Sequence, residues 1–125
     1  MSNYEQLEVF QKSHSLVLSI YDLTTTFPKD EKFRLVDQMI RSAYSIPSNI
    51  VEGNSKNTTK DYLNFLYMSR GSLHELKYFL LLSKDLNYIS EQLYLQFSTE
   101  CDKIAKMLNG LINSLKRKMD SKNAK

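Results

Sequence analysis

Apolar residues return every three or four positions through four stretches of this 125-residue chain, and the breaks between them are short. That regularity leaves little room for anything but helices packed on helices. The first stretch carries Leu7, Phe10, His14, Val17 and Tyr21 on one face. The second carries Val36, Met39 or Ile40, Ala43, Ile46 and Ile50. The third carries Tyr62, Leu63, Phe65, Leu66, Leu73, Leu76 and Leu80. The fourth, Leu93, Phe97, Cys101, Ile104, Leu108, Leu111 and Leu115, keeps a seven-residue repeat. No strand-like alternation of useful length competes with these patterns, and the chain has only 3 Gly and 2 Pro.

Local chemistry marks the boundaries. Thr24, Thr25 and Thr26 are poor helix formers and end the first stretch. Pro28 suits the first turn of a second helix, with Asp30 and Glu31 favoured by the helix dipole there. Thr58 and Ser90 are N-cap residues for the third and fourth helices. Asn87 fits a left-handed position between them. The expected helices are residues 4–26, 29–53, 59–86 and 91–118. Matched lengths and short connections predict an all-α, antiparallel up-down-up-down four-helix bundle over residues 1–115, followed by a basic tail, 116–125.

Two features stand apart from core formation. Pro47 interrupts the second helical pattern, which either kinks and continues or stops at Tyr44 and restarts after Ser45. Around it, Gln38, Arg41, Ser42, Ser45, Ser48, Asn49 and Glu52 form a polar stripe of mostly short side chains. Such a stripe suits close contact with another helix or another subunit. Arg70, Gly71, Ser72 and Glu75 on the third helix offer a counterpart, with Gly71 allowing close backbone approach. The alternative is that both stripes face water.

Charge is unevenly spread. Residues 116–125 hold five Lys/Arg and one Asp, a net +4, while the other 115 residues hold twelve basic and thirteen acidic residues, a net −1. Lys116, Arg117, Lys118 and Lys122, with Lys56 and Lys60 before the third helix, are the expected phosphate contacts of a nucleic-acid-binding surface. A solvated helix end explains the tail equally simply, because Lys and Arg favour the negative pole of the dipole.

Catalytic chemistry finds little support. Neither His14 nor His74 follows a glutamate by three residues, as a di-iron bundle requires. His14 is expected in the core or an interface, and Cys101 in the core. No glycine-rich phosphate loop or zinc-ligand spacing is present. No enzymatic reaction and no cofactor are expected. With one cysteine, no intrachain disulfide can form. The opening MSNYEQLEVF has no basic start followed by an apolar block, and no apolar run is long enough to span a bilayer. A cytoplasmic location is expected.

The segments FPKDEKFRLVDQMIRSAYSIPSNIVEGN, FLYMSRGSLHELKYFLLLSKDLNYIS and MLNGLINSL resemble the four-helix-bundle family of 23S rRNA intervening-sequence proteins, formerly labelled S23 ribosomal proteins. The resemblance covers nearly the whole chain. Its most specific parts are Ser45 to Ile50 followed by Glu52-Gly53, and Arg70-Gly71-Ser72 with Glu75. Val51 replaces a small residue of the family pattern, and Ser42 and Ser69 replace Ala. The resemblance implies an antiparallel bundle assembled as a homopentamer. It also implies rRNA or DNA as a partner, or a protein partner such as a reverse transcriptase, since relatives accompany diversity-generating retroelements.

Overall fold

The structure, a computed structural model, describes the backbone of residues 3–123 and the side chains of residues 3–121. Among these are four helices and no strand: α1 (Glu8–Thr24), α2 (Leu35–Asn54), α3 (Thr59–Asp85) and α4 (Glu91–Asn123). Each helix packs on its two neighbours around a ring, and among the described residues neither diagonal pair comes into backbone proximity. Between α3 and α4, Arg70 meets Asn109 and Lys77 meets Asp102. Seven residues up one helix are seven residues down the other, so the pair is antiparallel. α2 and α3 are likewise antiparallel, with Ser45 on Ser72 and Asn54 on Tyr62. The all-α bundle expected from the periodicity is what forms.

The lengths are not matched. α1 has 17 residues and α4 has 33, roughly 26 and 50 Å at 1.5 Å per residue. α1 starts later than expected because Tyr4–Gln6 make a separate 3₁₀ turn and Leu7 is extended (φ −71°, ψ 125°). It ends where the threonines predict. The hydroxyls of Thr24, Thr25 and Thr26 donate to the carbonyls of Ile20, Asp22 and Leu23 at 2.9, 2.7 and 3.2 Å, competing with the helical ladder.

Pro28 does not open α2. Residues 29–31 form a 3₁₀ turn, Arg34 is non-helical (φ −122°, ψ −104°), and α2 begins at Leu35. The reason lies in Glu31, which is no simple first-turn acid. It is buried, accepts a hydrogen bond from the Tyr88 hydroxyl at 2.8 Å and lies 3.6 Å from Arg34. Phe27, also buried, packs on the Tyr88 ring at 5.3 Å. The α1–α2 connection is thereby held onto the α3–α4 connection. The bond to Glu31, with desolvation, raises the Tyr88 phenol above its usual range near 10. A raised folded value means the contact stabilises fully below pH 10 and is lost as pH climbs beyond it. Tyr88→Phe should therefore lower the melting temperature at pH 7. The gap to wild type should close as thermal melts are taken above pH 10.

The α2–α3 and α3–α4 connections follow local chemistry closely. The Thr58 hydroxyl accepts from the Asp61 amide at 3.1 Å, and the Ser90 hydroxyl accepts from Leu93 at 3.0 Å. Asn87 is left-handed (φ 63°). The amides of Tyr88 and Asn87 donate to the carbonyls of Ser83 and Lys84, both at 2.9 Å, completing a Schellman motif.

α2 runs unbroken through Pro47, so the restart after Ser45 does not occur. Its core face is Met39, Ala43, Ile46 and Ile50, as the spacing predicts. α3 contributes Leu63, Leu66, Leu73, Leu76 and Leu80. On α1 the expected face is displaced. Val9, Ser13, Leu16, Val17, Ile20 and Leu23 are buried, whereas His14 and Tyr21 are exposed and Leu7 and Phe10 lie at the edge. His14 is thus no core histidine; it stacks on Phe10 at 6.0 Å. On α4, Cys101, Ile104 and Leu108 are buried as expected, but the next core residue is Ile112, not Leu111.

Candidate nucleic-acid interface

The polar stripe on α2 divides when its contacts are followed. Its inner part forms a seam with α3. The Asn49 amide donates to the Ser45 carbonyl at 2.8 Å and to the Ser45 hydroxyl at 3.0 Å. Ser72 donates to that same hydroxyl at 2.8 Å. Ser69, fully buried, donates to the Ile46 carbonyl at 2.9 Å. These bonds gather on Ser45 and Ile46, just before Pro47; the carbonyl that loses its amide donor to the proline is that of Ala43, one turn earlier. Small hydroxyls at this seam let α2 and α3 approach closely while remaining hydrogen-bonded. The role of Ser69 is not legible in the sequence, because it occupies a core-face position of α3 between Leu66 and Leu73 and reads as an interruption.

The outer part of the stripe faces solvent. Arg41 pairs with Asp37 at 3.9 Å and Glu52 with Lys56 at 3.8 Å, both exposed and one helical turn apart. The Ser48 hydroxyl donates only locally, to the Ser45 carbonyl at 3.4 Å. Arg41, Tyr44, Ser45, Ser72 and Glu75 line an open groove of about 400 Å³ between α2 and α3. Arg70 turns the other way, donating to Asn109 of α4 at 3.1 Å and lying 5.1 Å from the Tyr67 ring.

The glycines reverse the expectation. No atom lies within 4 Å of where a Gly71 Cβ would stand, so no helix of this chain presses on it. Close packing occurs instead at Gly53, where a Cβ would stand 2.8 Å from Tyr62 Cδ1, 3.0 Å from Phe65 Cβ and 3.2 Å from the Tyr62 carbonyl oxygen.

The basic residues gather at one end of the bundle. Lys56 and Lys60 are exposed where α3 begins, and Lys56 sits 5.0 Å over the Phe65 ring. Continuing the α3–α4 register places Lys116 level with residue 63, about one turn from Lys60. Lys116, Arg117 and Lys118 are exposed on α4, which continues as helix to Asn123 rather than ending near 118. The side chain of Lys122 lies outside the described residues.

α4 extends this surface inward from the end. Lys103, Lys106, Gly110, Asn113 and Arg117 recur at steps of three and four, all exposed, opposite the buried Cys101, Ile104 and Leu108. Between Asp102 and Asp120 there are five basic residues and no acid. Lys103 pairs with Glu100 at 3.3 Å. Lys103 and Lys106 are missed by counting local charge density and are found by asking which residues share a face.

Other chemistry is weak. Burial pushes the Cys101 thiol up to about 12, so it stays protonated and unreactive at neutral pH. Lys77 is raised chiefly by its 2.6 Å hydrogen bond to Asp102. Among the described residues, no group of His, Cys, Asp or Glu is placed to hold a metal, and no helix is long and apolar enough to cross a membrane.

Comparison with known proteins adds the family. No curated protein matches the chain. A crystal structure of a protein of unknown function from the S23 ribosomal protein family of Bacteroides thetaiotaomicron superposes with a TM-score of 0.77 at 28% identity, covering 83% of this chain and 97% of that one. The family model of the 23S rRNA-intervening sequence protein matches residues 5–110. With four helices in the same frame, the chain belongs to the 23S rRNA-intervening sequence protein family.

Proposed function

We propose that this is a non-enzymatic, cytoplasmic protein that binds nucleic acid with low sequence specificity through the basic outer face of α4 and the lysines beside it. The acid-free run from Lys103 to Met119 carries the reading, because its five cations lie on one continuous helix. Phosphate contacts of this kind supply affinity without reading base sequence. We further propose assembly as a homopentamer, on the family resemblance. Five such faces in one particle would multiply individually weak contacts.

The test is a filter-binding titration against rRNA fragments and duplex DNA across salt. Five phosphate contacts predict a log–log slope of about −4.5 on duplex, and roughly a 500-fold loss of affinity between 50 and 200 mM salt. Lys103→Gln, Lys106→Gln and Arg117→Gln together should flatten the slope by about 0.9 per charge removed. Absence of binding at low salt would overturn the reading. It would leave its rival, a scaffold for a protein partner such as a reverse transcriptase, which the exposed Leu18, Tyr21 and Leu95 favour.

A further inference from the structure

α3 carries an outer face of different character from that of α4. Tyr67, Met68 and Tyr78 are all exposed there, with Gly71 and His74 between them. Glu75, the sole acid between Asp61 and Asp85, turns to the α2–α3 groove. Nothing among the described residues covers this face.

Two glycines mark one height on the surface. With Arg70 opposite Asn109, Gly71 stands opposite position 108, two residues from Gly110, or about 3 Å along the axis. No atom lies within 4 Å of a Cβ at either position. A glycine inside an exposed helix weakens it relative to alanine, and here neither relieves an internal clash. Each leaves a low notch in its own helix, at nearly the same height. The aromatic row of α3 and the basic row of α4 each pass over one of these positions, on helices joined by the Arg70–Asn109 hydrogen bond. Tyr67 and Tyr78 lie roughly 16 Å apart along α3, and Lys103 and Arg117 roughly 21 Å apart along α4.

We propose that this paired face takes an unpaired polynucleotide strand, with bases stacked on Tyr67 and Tyr78 and phosphates along Lys103, Lys106 and Arg117. This rests on the nucleic-acid reading above and names its substrate class. Exposed aromatic rings beside a cationic track are the chemistry of single-strand recognition, because every base offers a flat face and a duplex hides it. A purely electrostatic surface would not need the tyrosines. The notches let the strand lie close enough for both rows to act at once.

Fluorescence anisotropy with the full chain tests this. The probes are a labelled 20-nucleotide unstructured pyrimidine RNA and an RNA duplex with the same number of phosphates, at equal salt. The single strand should bind at least tenfold more tightly. Tyr67→Leu with Tyr78→Leu keeps apolar bulk and charge. That variant should lose at least tenfold on the single strand, with duplex affinity and salt slope unchanged. Gly71→Leu with Gly110→Leu fills the notches in open space and should weaken the single strand selectively, with helicity by circular dichroism retained. Binding without single-strand preference, or equal losses on both probes, would overturn this inference and leave nucleic-acid binding standing. Failure to bind either probe at low salt would remove both.

Discussion

Gly53→Val is expected to destabilise the fold by about 3 kcal/mol, the upper end of ordinary overpacking. Its Cβ would meet Phe65 Cβ at 3.0 Å and the Tyr62 carbonyl oxygen at 3.2 Å. Both atoms lie on or next to the α3 backbone, so relief requires moving a helix. Gly53→Ala gains roughly 1 kcal/mol of helix propensity and still loses overall, because the same first carbon makes the contact. Gly71→Ala and Gly110→Ala should act in the opposite direction, each gaining up to about 1 kcal/mol, since they add a methyl into open space. Urea unfolding followed at 222 nm, at one protein concentration throughout, reads all four variants. Concentration is held fixed because self-association would shift apparent stability. A Gly53→Val protein as stable as wild type would mean that α2 and α3 are not pressed together there.

What was legible in the sequence was what depends on neighbours along the chain. Thr58, Asn87 and Ser90 act through amides and carbonyls a few residues away, and their roles follow from residue type. α2 and α3 each offer one dominant apolar stripe, so their buried faces were also legible. α1 offers two. Leu7, Phe10, His14, Val17 and Tyr21 keep helical spacing, but so do Val9, Ser13, Leu16, Ile20 and Leu23. The second stripe is buried although it contains a serine, because the Ser13 hydroxyl satisfies itself on the Phe10 carbonyl at 3.0 Å. Features that depend on a distant partner were the least legible. Gly53 and Gly71 look alike in sequence, and only Tyr62 and Phe65 distinguish them. Glu31 looks like a first-turn acid until Tyr88, 57 residues away, reaches it.

The sharpest check of helix phase is to truncate the residues that the competing stripes disagree about. Ile20→Ala and Ile112→Ala should each cost roughly 2–5 kcal/mol, the range for emptying a core site. Ile20 is 0% and Ile112 2% exposed. Their sequence neighbours should matter far less: Tyr21→Ala under about 1 kcal/mol, because Tyr21 is 49% exposed, and Leu111→Ala in between, because Leu111 is half-buried. The α4 difference has a geometric cause. A strict seven-residue repeat drifts about 20° per heptad on a straight helix. A stripe that begins on Cys101 and Leu108 therefore faces inward at Ile112 rather than Leu111. The same measurement bears on the outer surface. One residue of phase is about 100° of rotation, and Lys103, Lys106 and Arg117 lie opposite the buried stripe. Were Leu111→Ala the costlier change, that basic row would swing toward a neighbouring helix and could no longer lie beside the tyrosines of α3.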